Sequence, residues 1–276
     1  MLGHILYNYL SNNKNFQLFN ISYTERLNSE TIICDVTRLE ELEKHLKFIC
    51  PNIIINCIGI LLQKANYRPS RTIFLNSYFP HKLEELSKAN NSKLIHISTD
   101  CVFNGLKGDY SEDDIVSPKD LYGKSKYLGE QLGSNSLILR TSIIGPELKK
   151  NGQGLLHWIM NQKSSVDGYT NVYWGGVTTL QLSKVIEKSI DEQLCGLLHV
   201  TNKKKISKYD LLQLINKHLK YGKLDIKRAE VKFSDKSLTS NYSYFDNIIL
   251  NYEDMIIEMK ENIFQNKNRF NYLYKI

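Results

Sequence analysis

The sequence predicts an α/β protein: a doubly wound parallel sheet followed by a smaller, looser C-terminal lobe. Three observations carry this expectation. Short apolar runs alternate with helix-period segments through the first half of the chain. Those runs are apolar at consecutive positions, as strands buried on both faces are. Beyond Arg140 the alternation gives way to a segment rich in aromatic, amide and glycine residues, Gly168 to Gly176. Alternating strands and helices imply a parallel sheet with helices on both faces.

The elements follow in order. Residues 18–23 and 31–34 read as strands. Thr37-Arg-Leu-Glu40 reads as a capping box, opening a helix whose Leu39, Leu42, Leu46 and Ile49 share one face, with Pro51 just past its end. Strand 53–56, a helix through Leu83 and Leu86, strand 94–97, helix 122–132 and strand 136–141 come next. Residues 178–190 read as a later helix. Ser207-Lys-Tyr-Asp210 reads as a helix start with Asp210 in the place of a capping carboxylate, followed by core positions Leu211, Leu212, Leu214 and Ile215. From Tyr221 onward no repeat or low-complexity tract is evident.

Length and composition bound the function. A chain of 276 residues with 42% apolar and 24% charged residues buries a sizeable core. No run approaches the ~18 consecutive apolar residues of a membrane span. The N-terminus carries no signal-peptide pattern, so cytoplasm is the default expectation. Five cysteines, Cys34, Cys50, Cys57, Cys101 and Cys195, are scattered without C-x-x-C spacing, and read as thiols in a reducing compartment. The histidines lack paired spacing, so no metal is expected. A net charge of +7 raises nucleic-acid binding, but the one compact basic run, Lys203-Lys-Lys205, reads as solvated loop and no nucleic-acid module is present. A basic balance instead favours anionic nucleotide ligands.

The chemistry concentrates where strand Lys93-Leu-Ile-His-Ile97 ends in Ser98-Thr99-Asp100, upstream of Tyr122-Gly-Lys-Ser-Lys126. Ligands of open α/β sheets bind beyond the carboxyl ends of the strands. Spacing i, i+4 places Tyr122 and Lys126 on one helix face. A phenol with pKa near ~10 is a poor acid-base at neutral pH, so an ammonium favouring phenolate would make it useful. The spacing alone is weak, because Tyr78 and Lys82 share it. Pro80 between those two, and the lack of preceding hydroxyls, set that copy apart. The bland alternative makes Ser98 and Thr99 turn caps and Tyr122 and Lys126 surface residues.

The run Ile97-Ser-Thr-Asp-Cys-Val-Phe-Asn-Gly105, with Tyr110-Ser-Glu112, Pro118 and Tyr122-Gly-Lys-Ser-Lys-Tyr-Leu-Gly-Glu130, resembles the extended short-chain dehydrogenase/reductases. Within them the resemblance is to the dTDP-4-dehydrorhamnose reductase branch, and it runs from Leu2 to about Ile215. It implies a Rossmann-like NAD(P)-binding domain over 1–145, rejoined by part of the later chain, and a mainly substrate-binding lobe over 146–276. It implies reduction of the 4-keto group of a nucleotide-linked deoxysugar, for a cell-surface polysaccharide. By the same resemblance Thr99 polarises the carbonyl, Tyr122 donates the proton, and Lys126 tunes the phenol and holds the nicotinamide ribose. Cofactor contacts fall on Gly3, His4, Arg26, Asp35, Val36, Cys57, Ile58, Gly59 and Asn76, besides Tyr122 and Lys126. Arg26 is placed to accept a 2′-phosphate, which prefers NADPH while admitting NADH. Substrate contacts fall on Thr99, Asp100, Val102 and Phe103, and, from the make-up of 168–176, on Asn171, Tyr173 and Trp174, for which lobe packing is an equal alternative. Asp100-Cys101 after Thr99, where related dehydratases have Asp-Glu, favours simple reduction.

One departure stands out. The family's first strand enters a turn of the form G-x-x-G-x-x-G, which receives the cofactor pyrophosphate. Met1-Leu2-Gly3-His4 corresponds to its last glycine and the helix after it, so the first strand and the earlier glycines are absent from this chain. A start upstream of Met1 is the favoured explanation; a fragment, or a fold that has lost the cofactor, are the others. A non-catalytic regulatory or scaffold protein is therefore the alternative to the reductase, with a sugar-nucleotide epimerase behind it. The expected partner is a nucleotide sugar, with neither nucleic acid nor membrane, and a homodimer is compatible with the resemblance.

Overall fold

The computed structural model describes residues 1–270. The chain opens with helix α1 (Leu2–Leu10), then strands β1 (Ile21–Ser22) and β2 (Ile32–Ile33), helix α2 (Leu39–Ile49) and strand β3 (Ile53–Asn56). Helices α3 (Leu62–Ala65) and α4 (Pro69–Ile73) lead through a π-helical turn (Phe74–Tyr78) into α5 (Phe79–Ala89). Strand β4 (Lys93–Ile97), helix α6 (Leu121–Leu128) and strand β5 (Leu137–Arg140) complete the first half.

The central sheet is parallel, in the order β10-β5-β4-β3, where β10 (Gly196–His199) arrives from late in the chain. A parallel crossover order with helices on both faces is the doubly wound arrangement that the alternation predicts. Residues one apart along a strand face opposite sides. Thus Ile95 joins a core with Leu137, Leu139 and α1, while Leu94 joins a second core with Leu42, Leu46, Phe79 and Leu83. His96 lies on the same side of the sheet as Leu94, fully buried. Strands β1 and β2 form a separate parallel pair, and among the described residues no strand pairing joins it to the central sheet.

The second half supplies β6 (Ile143–Ile144), α7 (Leu155–Met160), β7 (Val166–Tyr169), β8 (Val172–Trp174), β9 (Val177–Thr178) and α8 (Thr179–Asp191) before β10. After it come β11 (Ile206–Ser207), α9 (Lys208–Leu219), β12 (Ile226–Ala229), β13 (Ser234–Asp235) and α10 (Tyr252–Gln265). These strands make small sheets, β11-β8-β13, β12-β7 and β6-β9, rather than one surface. Residues of α8, α9 and α10 share the larger core with α1. The two halves of the chain are thereby packed around common apolar residues, with β10 returning to the central sheet.

Two local expectations are corrected. Thr37 caps nothing: α2 starts at Leu39 without a side-chain cap, and the Thr37 N–H donates to Asp35 Oδ1 at 3.1 Å. An aspartate turn has taken the Thr37 N–H that the Glu40 carboxylate would accept in a capping box. The strand expected over 18–23 pairs only at Ile21–Ser22. By contrast, Ser207 accepts from the Asp210 N–H at 3.0 Å and donates to its carboxylate at 2.6 Å, the reciprocal start expected there.

Candidate active site

Strand β4 delivers the first half of the site. The Ser98 N–H extends the ladder to Leu139 O at 2.8 Å, and Thr99 follows in extended conformation. The Thr99 hydroxyl accepts from the Cys101 N–H at 3.2 Å and donates to Asp100 Oδ1 at 3.1 Å, opening a single 3₁₀ turn over Asp100–Val102. Beneath it, Ser98 Oγ donates to the Glu130 carboxylate, which Arg140 grips through Nε at 3.0 Å and Nη2 at 2.7 Å. Both charges are buried. A bidentate pair of this kind fixes the strand end in position.

Helix α6 delivers the second half. Asp120 caps it by accepting from the Gly123 N–H at 2.8 Å, and two glycines let it close in. A Cβ at Gly123 would collide with the Cys101 carbonyl oxygen, and one at Gly129 with that of Asn76. Hydrogen at these two positions is what brings Tyr122 close to Thr99, near enough for that side chain to act on its phenol. Asn76 secures the helix from the other side. Its Nδ2 reaches Ser125 Oγ at 3.1 Å and Ile60 O at 3.0 Å, while Oδ1 accepts from the Ile60 N–H at 2.8 Å.

The electrostatics differ from the expected ammonium-tuned phenolate. Burial pushes the Tyr122 phenol above its ordinary value, Cys101 adds to this, and the Thr99 side chain opposes it. The phenol is held protonated. Lys126 Nζ donates to Ile97 O at 2.7 Å and lies 3.1 Å from His96 Nε2. Burial pushes its ammonium down to about 8, with Glu130 acting the other way. Desolvation is the largest influence at both groups, and at Lys126 it outweighs the pull of Glu130.

Several expected cofactor residues converge at the ends of α1 and β3. Gly3 faces Cys57: a Cβ built there meets Cys57 Cβ at 3.8 Å and nothing nearer, so the first turn of α1 presents bare backbone to open space. Such a helix N-terminus beside a strand end suits a diphosphate. Ile58 is tied through its N–H to Asn56 Oδ1 at 3.0 Å, and Gly59 sits against Asn76 Oδ1. On these observations the residues fit a dinucleotide. Asp35 and Val36 follow β2, the former turned to Thr37 and the latter buried. Two side chains are engaged elsewhere. The His4 Nε2 meets Pro146 O at 2.9 Å, and burial lowers this imidazole to about 4. Arg26 Nη1 donates to Thr31 O at 2.5 Å within its own loop. Arg71, over the Tyr23 ring at 5.2 Å, is a second cation of that region which the sequence did not single out.

The substrate-side residues divide. Asp100 is buried beside Thr99, its carboxyl raised by burial and drawn back by Lys236. Val102 and Phe103 are corrected: both side chains are completely buried, Phe103 stacking on Tyr110 at 4.2 Å, so neither offers a side-chain surface to a ligand. Asn171 uses its amide at both ends on the Val231 backbone, and Trp174 is buried against Tyr252. Packing of the lobe accounts for both. Tyr173 keeps part of its surface, with Phe233 at its edge and Lys205 over its ring at 5.3 Å. The structure adds two cations that no sequence signal marks. Lys236 faces Cys101 and Asp100, and both raise its ammonium against its burial. Lys208 faces the same pair, its ammonium lowered by burial.

Elsewhere, Cys34, just past β2, and Glu41 and His45 of α2 place ligand atoms within 4.8 Å of one another, a trio that linear spacing did not reveal. Among the described residues no helix is long and apolar enough to cross a membrane.

The family model for the RmlD substrate binding domain matches residues 1–251. The chain belongs to this family. A dTDP-4-dehydrorhamnose reductase from Aggregatibacter actinomycetemcomitans is 30% identical over 224 residues, 76% of this chain and 72% of that protein. The methionine adenosyltransferase 2 subunit beta of Rattus norvegicus is 26% identical over 177 residues, 58% of this chain and 52% of that protein. Among solved structures, a dTDP-4-dehydrorhamnose reductase from Bacillus anthracis in complex with NADP superposes with a TM-score of 0.73 at 22% identity, covering 84% of this chain and 89% of that one. Family membership agrees with the Rossmann-like sheet and the resemblance carried by residues 97–130.

Proposed function

We propose that this chain reduces the 4-keto group of a nucleotide-diphospho-deoxysugar, with NADPH as donor and NADH as the lesser alternative, in the making of a cell-surface polysaccharide. The observation that carries the reading is the approach of the Tyr122 phenol to the Thr99 side chain at the carboxyl end of β4, with Lys126 buried one turn along α6. The reductase of Aggregatibacter actinomycetemcomitans supports it.

A reduction needs an acid, and the phenol held protonated by burial is one. Thr99 turns its hydroxyl toward the same carbonyl oxygen as charge develops there, and Tyr122 gives that oxygen its proton. Gly3, Cys57 to Gly59, and Lys126 would hold the dinucleotide, whose reduced nicotinamide supplies hydride when bound. Lys208 and Lys236, beside Asp100 and Cys101, are cations suited to the sugar-nucleotide diphosphate.

The test is oxidation of NADPH by the purified chain with a panel of dTDP-4-keto-6-deoxysugars. Turnover that falls by about 10²- to 10⁴-fold in Tyr122→Phe, with the fold intact, is the expected result. Absence of turnover across the panel overturns it. The second reading, a non-catalytic regulatory subunit, has the Rattus norvegicus relative in its favour; it requires that a folded chain turn over no keto-sugar nucleotide.

A further inference from the structure

The corner where β2 runs into α2 gathers three metal-ligating side chains that the proposed chemistry does not use. Cys34 stands one residue past β2, held by its N–H to Ser22 O at 2.9 Å. It is 2% exposed and packs in the smaller core with Val36, Leu42 and Leu46. Glu41 and His45 are half-buried and share a face of α2 at i, i+4, beside those core positions. Their ligand atoms and the Cys34 Sγ lie within 4.8 Å of one another. Apolar packing accounts for a buried thiol; it does not bring a carboxylate and an imidazole to the same point. Among the described residues, neither Cys34 Sγ nor the His45 ring has a hydrogen-bond or ion-pair partner, and Glu41 reaches only the exposed Arg38 guanidinium, at 3.8 Å. The three atoms surround a gap that their own interactions leave open.

We propose that Cys34, Glu41 and His45 form a binding site for a borderline-soft divalent cation, zinc in the first place, with water as the fourth ligand. One sulfur, one nitrogen and one oxygen donor are the set that zinc accepts, and a thiolate disfavours magnesium and calcium. Bonds of about 2.0–2.3 Å to one ion put its ligand atoms about 3.3–3.8 Å apart, so side-chain shifts of about an ångström close the set. The half-buried Glu41 and His45 give the ion and its water a way in from solvent. On binding, the ion takes the place of the Cys34 thiol proton, which passes to solvent, and no redox change is involved. The site fastens the end of the β1–β2 pair, which among the described residues no strand pairing joins to the central sheet, directly to α2. It thereby fixes Asp35 and Val36, the next two residues of the chain. This role is structural and does not depend on the reductase reading.

The test is a titration of the full chain, freed of metal by a chelator, with Co²⁺ as a spectroscopic probe and Zn²⁺ as competitor. One equivalent of Co²⁺ should raise a thiolate-to-cobalt charge-transfer band in the near ultraviolet, which Zn²⁺ abolishes and excess Mg²⁺ leaves in place. The band should vanish in Cys34→Ser and survive Cys50→Ser and Cys195→Ser, which replace the two exposed thiols. His45→Gln, at a half-exposed position that the fold tolerates, should weaken binding by about 10-fold or more, since losing a ligand costs at least what losing a ligand's support does. Zn²⁺ should raise the Tm of the parent chain and leave that of Cys34→Ser unchanged. A folded parent chain that gives no thiolate band, a band that persists in Cys34→Ser or follows Cys50 or Cys195, or an affinity that His45→Gln and Glu41→Gln both leave in place, would each overturn the proposal.

Discussion

Removing Glu130 tests the framework under the site most directly. Its carboxylate takes two bonds from Arg140 Nε, at 3.0 and 3.1 Å, one from Nη2 at 2.7 Å, and the Ser98 hydroxyl. Side-chain exposure is 4% for Arg140 and 2% for Glu130. In Glu130→Ala a guanidinium remains in the interior with only His199 Nε2, at 3.5 Å, and the Phe103 face, at 5.4 Å, for company. Breaking one side of a buried pair costs about 3–5 kcal/mol, most of it the charge left behind. For a chain of this size that corresponds to a fall in Tm of roughly 10 °C. Urea denaturation of Glu130→Ala, Arg140→Met and the double variant gives the loss and the coupling. The double variant should recover part of the single loss, because it removes the stranded charge together with its partner. A single-variant loss below about 1 kcal/mol, or strictly additive variants, would show that the pair does not hold β4 to α6 and β5.

Lys126 gives stability a slope at alkaline pH. Its ammonium titrates at about 8 in the folded chain against 10.5 as the ordinary value, so between these limits the unfolded chain binds more protons and stability rises with pH. The penalty, roughly 3 kcal/mol, is fully present below the folded value and gone above the unfolded one. Denaturation midpoints of the parent and Lys126→Met across that range should converge as pH rises, and parallel curves would refute it. Gly123→Ala should destabilise despite the better helix former: a methyl against the Cys101 carbonyl forces a shift worth about 1–3 kcal/mol, against the gain of about 1 kcal/mol from propensity. Thermal unfolding decides the sign.

The local parts of this protein are legible in its sequence because their causes lie within a few residues. Ile53–Asn56 and Lys93–Ile97 form strands where consecutive β-branched and apolar residues prescribe them, and Ser207 and Asp210 open α9 by reciprocal bonds across one turn. The order of hydroxyl, phenol and lysine from Thr99 to Lys126 likewise carries the resemblance that family membership bears out. Thr37 misled because an aspartate two residues earlier took its N–H, the group that the Glu40 carboxylate would accept in a capping box, a choice that composition leaves open. Tertiary structure alone decides the electrical state of the site. His96 meets Lys126 across 30 positions, Glu130 meets Arg140 behind the strand, and Lys208 and Lys236 reach Asp100 from the second half of the chain. Periodicity and spacing prescribe which face a residue takes; they say nothing of the desolvation and the orphaned donors it finds there. Those are properties of packing, and they hold the phenol protonated.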